Sequence, residues 1–379
     1  MFPKMKLILA LLLSLVHNVS SVFFSDNLSI TCQGNQVKFS SLEGLFLKEE
    51  RTWFSLDSLT VLAFEKFNIE SSQGSYKVST SKKPSFETKR MDVIHCSVVD
   101  DVAIVSGVLS GAIVSTQNKN EIENISLSFD YNMTFKMSDV STSDVVDAID
   151  FSLDIVPSDS ISRSYSFQQS AVYAHLEWIS TATQDYFGFG EQYSHVNMKG
   201  KKVPILVQEQ GVGRGLEPIS FVLGIQAGNE FTTYAPFPMY LATDSKTPSS
   251  DTAAHAFMIH NSEYSVFDMT QDNITSVELL RPNFGLSDEP ILGTLFRSTS
   301  RTQSPLDLIR GITAYTGRMR SLPSWILRGA VIGLEGGTDQ VTEILKTLRD
   351  HDVDVSALWL QDWSGVNVDT FGERVEWNW

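Results

Sequence analysis

The chain has 379 residues, of which 42% are hydrophobic and 20% charged, and its formal net charge is −16. This is the composition of a globular protein, long enough to predict two or more domains. The excess of acid argues against a nucleic-acid partner, which needs clustered Lys and Arg.

Lys4 and Lys6 precede an apolar run from Leu7 to Val16, and the small residues Ser20 and Ser21 follow. That order is a secretory signal, so residues 1–21 are read as a signal peptide and set aside from the fold. A signal anchor is the competing reading. The run is shorter than the roughly 20 residues that a membrane helix needs, and no later segment is apolar for longer. No membrane span is expected. The expected location is secreted, or lumenal in the secretory and lysosomal pathway. Asn-x-Ser/Thr acceptors at Asn27, Asn124, Asn132 and Asn273 agree with that. Cys32 and Cys96 are the two cysteines. An oxidising compartment allows a bridge between them; two buried thiols are the alternative.

From about residue 24 to 300 the pattern is β. In "ISLSFDYNMTFKM", Ile125, Leu127, Phe129, Tyr131, Met133, Phe135 and Met137 alternate with polar residues. Period two means one buried face and one wet face, with Asn132 on the wet one. "AIDFSLDIV" repeats the alternation over 149–155. Further strands are predicted near 59–68, 102–116, 171–179, 219–226, 231–242 and 254–268. Many strands separated by polar turns predict an antiparallel sandwich.

The pattern changes at residue 304. Ser304-Pro305 reads as an N-cap followed by Pro at the first helical position. Leu308, Ile309, Ile312 and Tyr315 then share one face, and Gly317 ends the helix. "ILRGAVIGL" is a strand apolar on both faces. Thr338 is read as the cap of a second helix with Val341, Ile344, Leu345 and Leu348 as its stripe. "VSALWLQ" is a second apolar strand. Strand, helix and strand in this order make a βαβ unit with a parallel pair. Two parallel strands cannot close a barrel, so the chain is expected to stop inside its second domain.

Function in parallel α/β folds gathers at the carboxyl ends of the strands. Here those ends carry Glu335 and then Gln361, Asp362 and Trp363. Loop and capping roles are the competing reading for the carboxylates, and a core role for Trp377 and Trp379. Aromatic faces beside amides and carboxylates also suit a sugar. A second polar stretch begins at Gly188 and Gly190 and supplies Glu191, Gln192, His195, Glu209, Gln210 and Arg214. Its "GVGRG" lacks the Lys-Ser/Thr of a phosphate loop. The seven His are scattered, with no metal-ligand spacing, so neither metal nor cofactor is expected.

"YFGFGEQYSHVNMKGKKVPILVQEQGVGRG", "LPSWILRGAVIGLEGGT" and "ALWLQDWSGVNVDTFGERVEWNW" resemble glycoside hydrolase family 31, and within it the sulfoquinovosidase-like branch. The resemblance covers roughly residues 165–379. It implies a galactose-mutarotase-like β-sandwich over 22–303. A linker helix and the first βαβ units of a (β/α)8 TIM barrel would then fill 304–379. It implies retaining hydrolysis of an α-glycoside by two Asp, one a nucleophile and the other an acid/base. Those Asp belong to later barrel strands. No catalytic residue is therefore assigned here, and neither Asp362 nor Asp369 is promoted to the role. This chain by itself is expected to be inactive.

The resemblance also implies substrate contacts. Arg374 and Trp377 match the pair that grips a sulfonate, and charged donors on Arg suit an anion. Gln361 matches one of two glutamines of that site. Glu335 stands where the other is expected, and a carboxylate there repels a sulfonate or pairs with Arg374. Asp362 belongs to the same wall. Glu209 and Gln210 are expected to project over the barrel mouth onto the sugar. The implied partner is an α-glycoside, a sulfoquinovoside first and a neutral or differently decorated sugar as the rival. A non-catalytic carbohydrate-binding β-sandwich protein is the alternative from another class. A sandwich adhesion protein explains the first 300 residues but not the βαβ unit.

Overall fold

The computed structural model describes residues 19–25, 28–33, 35–42, 50–72, 75–118, 121–140, 146–160, 162, 171–208, 228–244, 254–282, 284, 289–298, 304–334, 336–360, 366–369 and 372–375. The chain divides into two compact units, Met1–Thr316 and Gly317–Trp379.

The first unit is built on a 16-stranded sheet. One path of hydrogen-bonded neighbours starts with β12 (Gln184–Gly190), β14 (Pro236–Asp244), β15 (His255–Ile259) and β18 (Ile291–Ser298). It continues through β10 (Val146–Pro157), β9 (Glu121–Met137), β8 (Val102–Asn118) and β7 (Phe86–Val99). It ends with β4 (Glu50–Phe64), β11 (Ala171–Ile179), β17 (Ile274–Leu280), β16 (Ser265–Asp268) and β13 (Lys202–Ile205). A branch of β1 (Val19–Ser25), β2 (Leu28–Gln33) and β3 (Gln36–Leu42) joins at β4. β5 (Phe67–Ser72) and β6 (Ser75–Thr80) form a hairpin of their own. Neighbours pair antiparallel. β1 begins at Val19, inside the stretch read as a signal, and its Ser20 and Ser21 pair with Cys32 and Thr31 of β2.

The alternation in β9 is realised. Leu127, Phe129, Tyr131, Met133 and Phe135 are buried, while Asp130, Asn132 and Lys136 are exposed. β10 buries Ile149, Phe151, Leu153 and Ile155 on the same side. The sheet curls back so that its far strands meet across one core. Trp178 of β11 lies 4.9 Å from Phe257 of β15, centroid to centroid. The Tyr186 hydroxyl of β12 hydrogen-bonds Thr275 of β17. Cys32 of β2 and Cys96 of β7 form a disulfide, with Cα atoms 6.5 Å apart.

Several strands depart from the expected bounds. Residues 254–268 form two strands, not one. Asn261 breaks the run by accepting from the Leu292 N–H at 2.7 Å and donating to the Pro290 carbonyl at 3.1 Å. β14 starts at Pro236 rather than at 231. β4 extends back to Glu50. β7 has no clean alternation in "FETKRMDVIHCSVV", because two register shifts, at Thr88/Arg90 and Val93/His95, reset its period. The strand expected at 219–226 lies outside the described residues.

The helix α1 (Pro305–Thr316) has the predicted ends. The Ser304 Oγ accepts from the Leu306 N–H at 3.3 Å, and Gly317 turns away at φ +83°. Leu308 and Ile312 are buried with Val146, Ala256 and Phe296. A Cβ on Gly311 would stand 2.6 Å from the Val146 side chain, so glycine permits this close approach. Ile309, expected on the buried face, is exposed. The helix therefore groups with the sheet and not with the residues that follow it.

The second unit holds a parallel pair, β19 (Ala330–Leu334) and β20 (Val355–Leu360), joined by α2 (Gly337–Asp350). The βαβ unit is as expected. Its cap is not. Gly336, in left-handed geometry at φ +96°, precedes the helix without a side-chain cap, and Thr338 lies inside it. Val341, Ile344, Leu345 and Leu348 are half-buried. A hairpin of β21 (Val366–Asp369) and β22 (Gly372–Val375) follows.

Candidate functional site

Among the described residues of the first unit, a polar loop leaves β12. Gly188 (φ +125°), Phe189 (φ +66°) and Gly190 (φ +82°) turn the chain at a register shift. Phe189 is fully buried, 5.3 Å from the ring of Phe267 and 6.1 Å from that of Tyr240. Its ring anchors a backbone geometry that L residues rarely adopt. The Glu191 N–H donates to the Ala235 carbonyl at 2.9 Å. A Cβ on Gly190 would meet that oxygen at 2.1 Å and the Phe237 nitrogen at 2.6 Å. Gly190→Ala is therefore expected to cost at least about 2 kcal/mol. Thermal unfolding checks this, and an unchanged midpoint would contradict the geometry.

The far end of the loop is tied down by Asn197. Its Nδ2 donates to Asp185 at 2.7 Å, and its Oδ1 accepts from the N–H of Tyr186 at 3.1 Å and of Lys199 at 3.0 Å. Between the two anchors stand Glu191, Gln192, Tyr193 and His195. The Tyr193 hydroxyl donates to Glu191 at 2.6 Å, and both side chains face solvent. His195 bonds Glu230, which also meets Lys201 Nζ at 3.1 Å. His195 first, and Lys201 next, hold the Glu230 carboxyl below the usual carboxylate range. The result is a ledge with hydroxyl, imidazole, ammonium and carboxylate groups together. Such a set can hydrogen-bond a polyol. Gly188, Gly190, Glu191, Gln192 and His195 were legible in the sequence. Glu230 was not, since it reaches His195 from 35 residues away.

A groove of about 490 Å³ on the same unit is lined by Thr60, Arg90, His175, Glu177 and Glu278, among others. His175 of β11 faces Thr60 of β4 and Glu278 of β17 in the register. Its Nε2 is 3.0 Å from Glu177, and its Nδ1 is 3.5 Å from Glu278. Burial lowers the imidazole pKa, but the bonds and charges of Glu177 and Glu278 outweigh it and raise it to about 9. Glu177 thus bonds the imidazolium from the same strand and Glu278 faces it as a charge from β17, an arrangement that holds the imidazolium in the sheet rather than offering a free acid and base. A folded pKa above 6.5 means the arrangement stabilises fully below pH 6.5 and is lost as pH rises through 9. His175→Gln should cost roughly 2 kcal/mol at pH 6, and the gap should close above pH 9. A stability gap independent of pH would show that the arrangement does not depend on charge.

Of the residues singled out from the sequence, Glu209, Gln210, Glu335, Gln361, Asp362 and Trp377 lie outside the described residues. The structure neither unites nor separates them. Arg374 is placed by its backbone, opposite Asn367 in the β21–β22 hairpin. Leu334 pairs with Leu360, and Glu335 and Gln361 are the next residues in the chain. Asn27 is outside the described residues, and Asn124 is placed by its backbone in β9. Asn132 and Asn273 are exposed. Among the described residues no cluster of His, Cys, Asp or Glu could hold a metal ion, and no helix is long and apolar enough to cross a membrane.

A β-rich chain with a large antiparallel sheet, followed by a parallel βαβ unit, is the frame on which these groups stand. The chain is similar to the sulfoquinovosidases of glycoside hydrolase family 31, as its motifs indicate. It is 30% identical over 209 residues to a sulfoquinovosidase of Escherichia coli, across 53% of this chain and 28% of that enzyme. It is 29% identical over 208 residues to a sulfoquinovosidase of Agrobacterium fabrum, across 54% of this chain and 28% of that enzyme. The chain thus matches little more than a quarter of the length of these relatives, which are glycosidases. A GH31 family sulfoquinovosidase from E. rectale, solved with an aza-sugar inhibitor, superposes with a TM-score of 0.62 at 19% identity. That match covers 92% of this chain and 43% of the solved one, and it establishes likeness of fold. No family model matches the chain.

Proposed function

We propose that these residues belong to a retaining α-glycoside hydrolase, with a sulfoquinovoside as the leading substrate. The observation that carries it is the 30% identity over 209 residues to a sulfoquinovosidase. On this reading the large sheet is a galactose-mutarotase-like sandwich, and the parallel pair opens a (β/α)8 barrel. Arg374, Trp377 and Gln361 recognise the sulfonate, with Glu335 and Asp362 in the same wall. Glu209 and Gln210 reach the sugar from the sandwich. The reaction needs a nucleophilic Asp and an acid/base Asp, which the resemblance assigns to later barrel strands. Without them the covalent glycosyl-enzyme step has no nucleophile. The protein is proposed to enter the secretory pathway.

The test is turnover of an aryl α-sulfoquinovoside and an aryl α-glucoside. The purified 379-residue chain should hydrolyse neither. A polypeptide that adds later barrel strands should hydrolyse one of them with retention. Turnover by the shorter chain overturns the assignment of the catalytic pair to later barrel strands, and inactivity of the longer one overturns the glycosidase reading.

In the longer enzyme, Arg374→Ala removes a charged donor. Each charge-assisted hydrogen bond is worth about 1.5–3 kcal/mol, so kcat/KM on the sulfonated substrate should fall about 10- to 100-fold. The neutral glucoside should lose far less. Equal losses on both substrates would remove the sulfonate from the proposal.

A further inference from the structure

We infer that Asn132 is an N-glycosylation site whose first sugar covers an apolar groove on the open face of the large sheet. The inference rests on the secretory reading above, and on no assumption about the glycoside substrate.

Asn132-Met133-Thr134 is an acceptor sequence in the middle of β9. Met133 points into the core and Asn132 points out. Asn132 stands opposite Ser106 of β8 and Asp154 of β10. Its amide has no hydrogen-bond partner among the described residues. Both flanking side chains are short, so the Asn nitrogen is open to a bulky substituent.

The surface beside it is unusual for an open sheet face. A groove of about 380 Å³ runs past Asn132, lined by Ile94, Gly107, Val108 and Val156 among others. Ile94 is 72% exposed and Val156 45% exposed. Ile94 owes its position to the register shift between Val93 and His95, which leaves it unpaired on β7. Exposed aliphatic groups that line one groove on a soluble surface, here from β7 and from β10, mark a contact. An N-linked chain begins with N-acetylglucosamine, which has an apolar ring face, a methyl group and hydroxyls. Attached at Asn132, it begins inside this groove. Its apolar face can lie toward Ile94, across β8 from Asn132, while its hydroxyls meet water and the Asp154 carboxylate, which lines the groove on the β10 side. Asn273, the other acceptor exposed among the described residues, sits just before β17.

The experiment is secretion of the chain from a eukaryotic host, followed by glycopeptide mass spectrometry. Asn132 is expected to be occupied. Trimming the chain to one N-acetylglucosamine should leave binding of an apolar fluorescent dye low. Complete enzymatic removal should raise it several-fold, and Ile94→Ser should abolish that rise. Occupancy at another acceptor with Asn132 empty overturns the inference and leaves the secretory reading standing. An occupied Asn132 with dye binding indifferent to complete removal overturns the covering role. A secreted protein unmodified at every acceptor overturns the inference and the glycoprotein reading together, without touching the glycosidase proposal.

Discussion

Replacing Trp178 with alanine is expected to destabilise the first unit by about 3–5 kcal/mol. The indole is 1% exposed and sits where the curled sheet closes on itself. Its ring lies 4.9 Å from Phe257, 6.0 Å from Phe54 and 6.1 Å from Tyr240. Phe54 belongs to β4, next to β11, but Tyr240 and Phe257 belong to β14 and β15, near the other end of the strand path. Truncation therefore removes transfer energy and also opens a cavity between strands that cannot move together freely. Trp178→Phe keeps an aromatic ring in place and should recover most of the loss. Chemical denaturation of the three proteins is the measurement. If the alanine and phenylalanine variants lose the same small amount, the contact is not a keystone.

Loss of the disulfide is expected to have an effect of similar size. The bond between Cys32 and Cys96 closes a loop with a sequence separation of 64. Chain-entropy reasoning for a loop of that length gives about 4 kcal/mol, acting mainly through the unfolded chain. It ties β2, on the side branch, to β7, near the middle of the path. The double variant Cys32→Ser/Cys96→Ser should unfold at lower denaturant than the parent, and a reducing agent should move the parent to the variant's midpoint. The variant itself should ignore the reducing agent. A parent indifferent to reduction would mean that the bond adds nothing to stability. Production in a reducing cytosol should yield the less stable form.

Local pattern made much of this protein legible. Strict alternation named β9 and β10, because a one-residue slip there would bury Asp130 and expose Phe129. Ser304-Pro305 and Gly317 bounded α1 almost to the residue, because caps and stops are properties of a few adjacent backbone groups. β7 escaped, because its two bulges break the very period by which strands are read. Thr338 looked like a cap, but Gly336 and Gly337 adopt the positive φ that starts this helix without one. Ile309 fitted a helical stripe yet faces outward, since the surface beneath α1 is only as wide as Val146, Ala256 and Phe296 make it.

The candidate site divides the same way. By itself the sequence determined that strands fill most of the first 300 residues, that a parallel βαβ unit follows, and that the motifs carrying Gln361, Arg374 and Trp377 resemble a glycosidase of family 31. These follow from neighbours in the chain, whose spacing dictates period, cap and motif. Tertiary structure alone decided that Glu230 holds His195, that His175 is shared by Glu177 and Glu278, and that Cys32 meets Cys96. It alone set Ile94 on the open face, across β8 from Asn132. Each depends on which strands pair and in what register, a choice settled by burial across the whole sheet rather than by any residue's own preference.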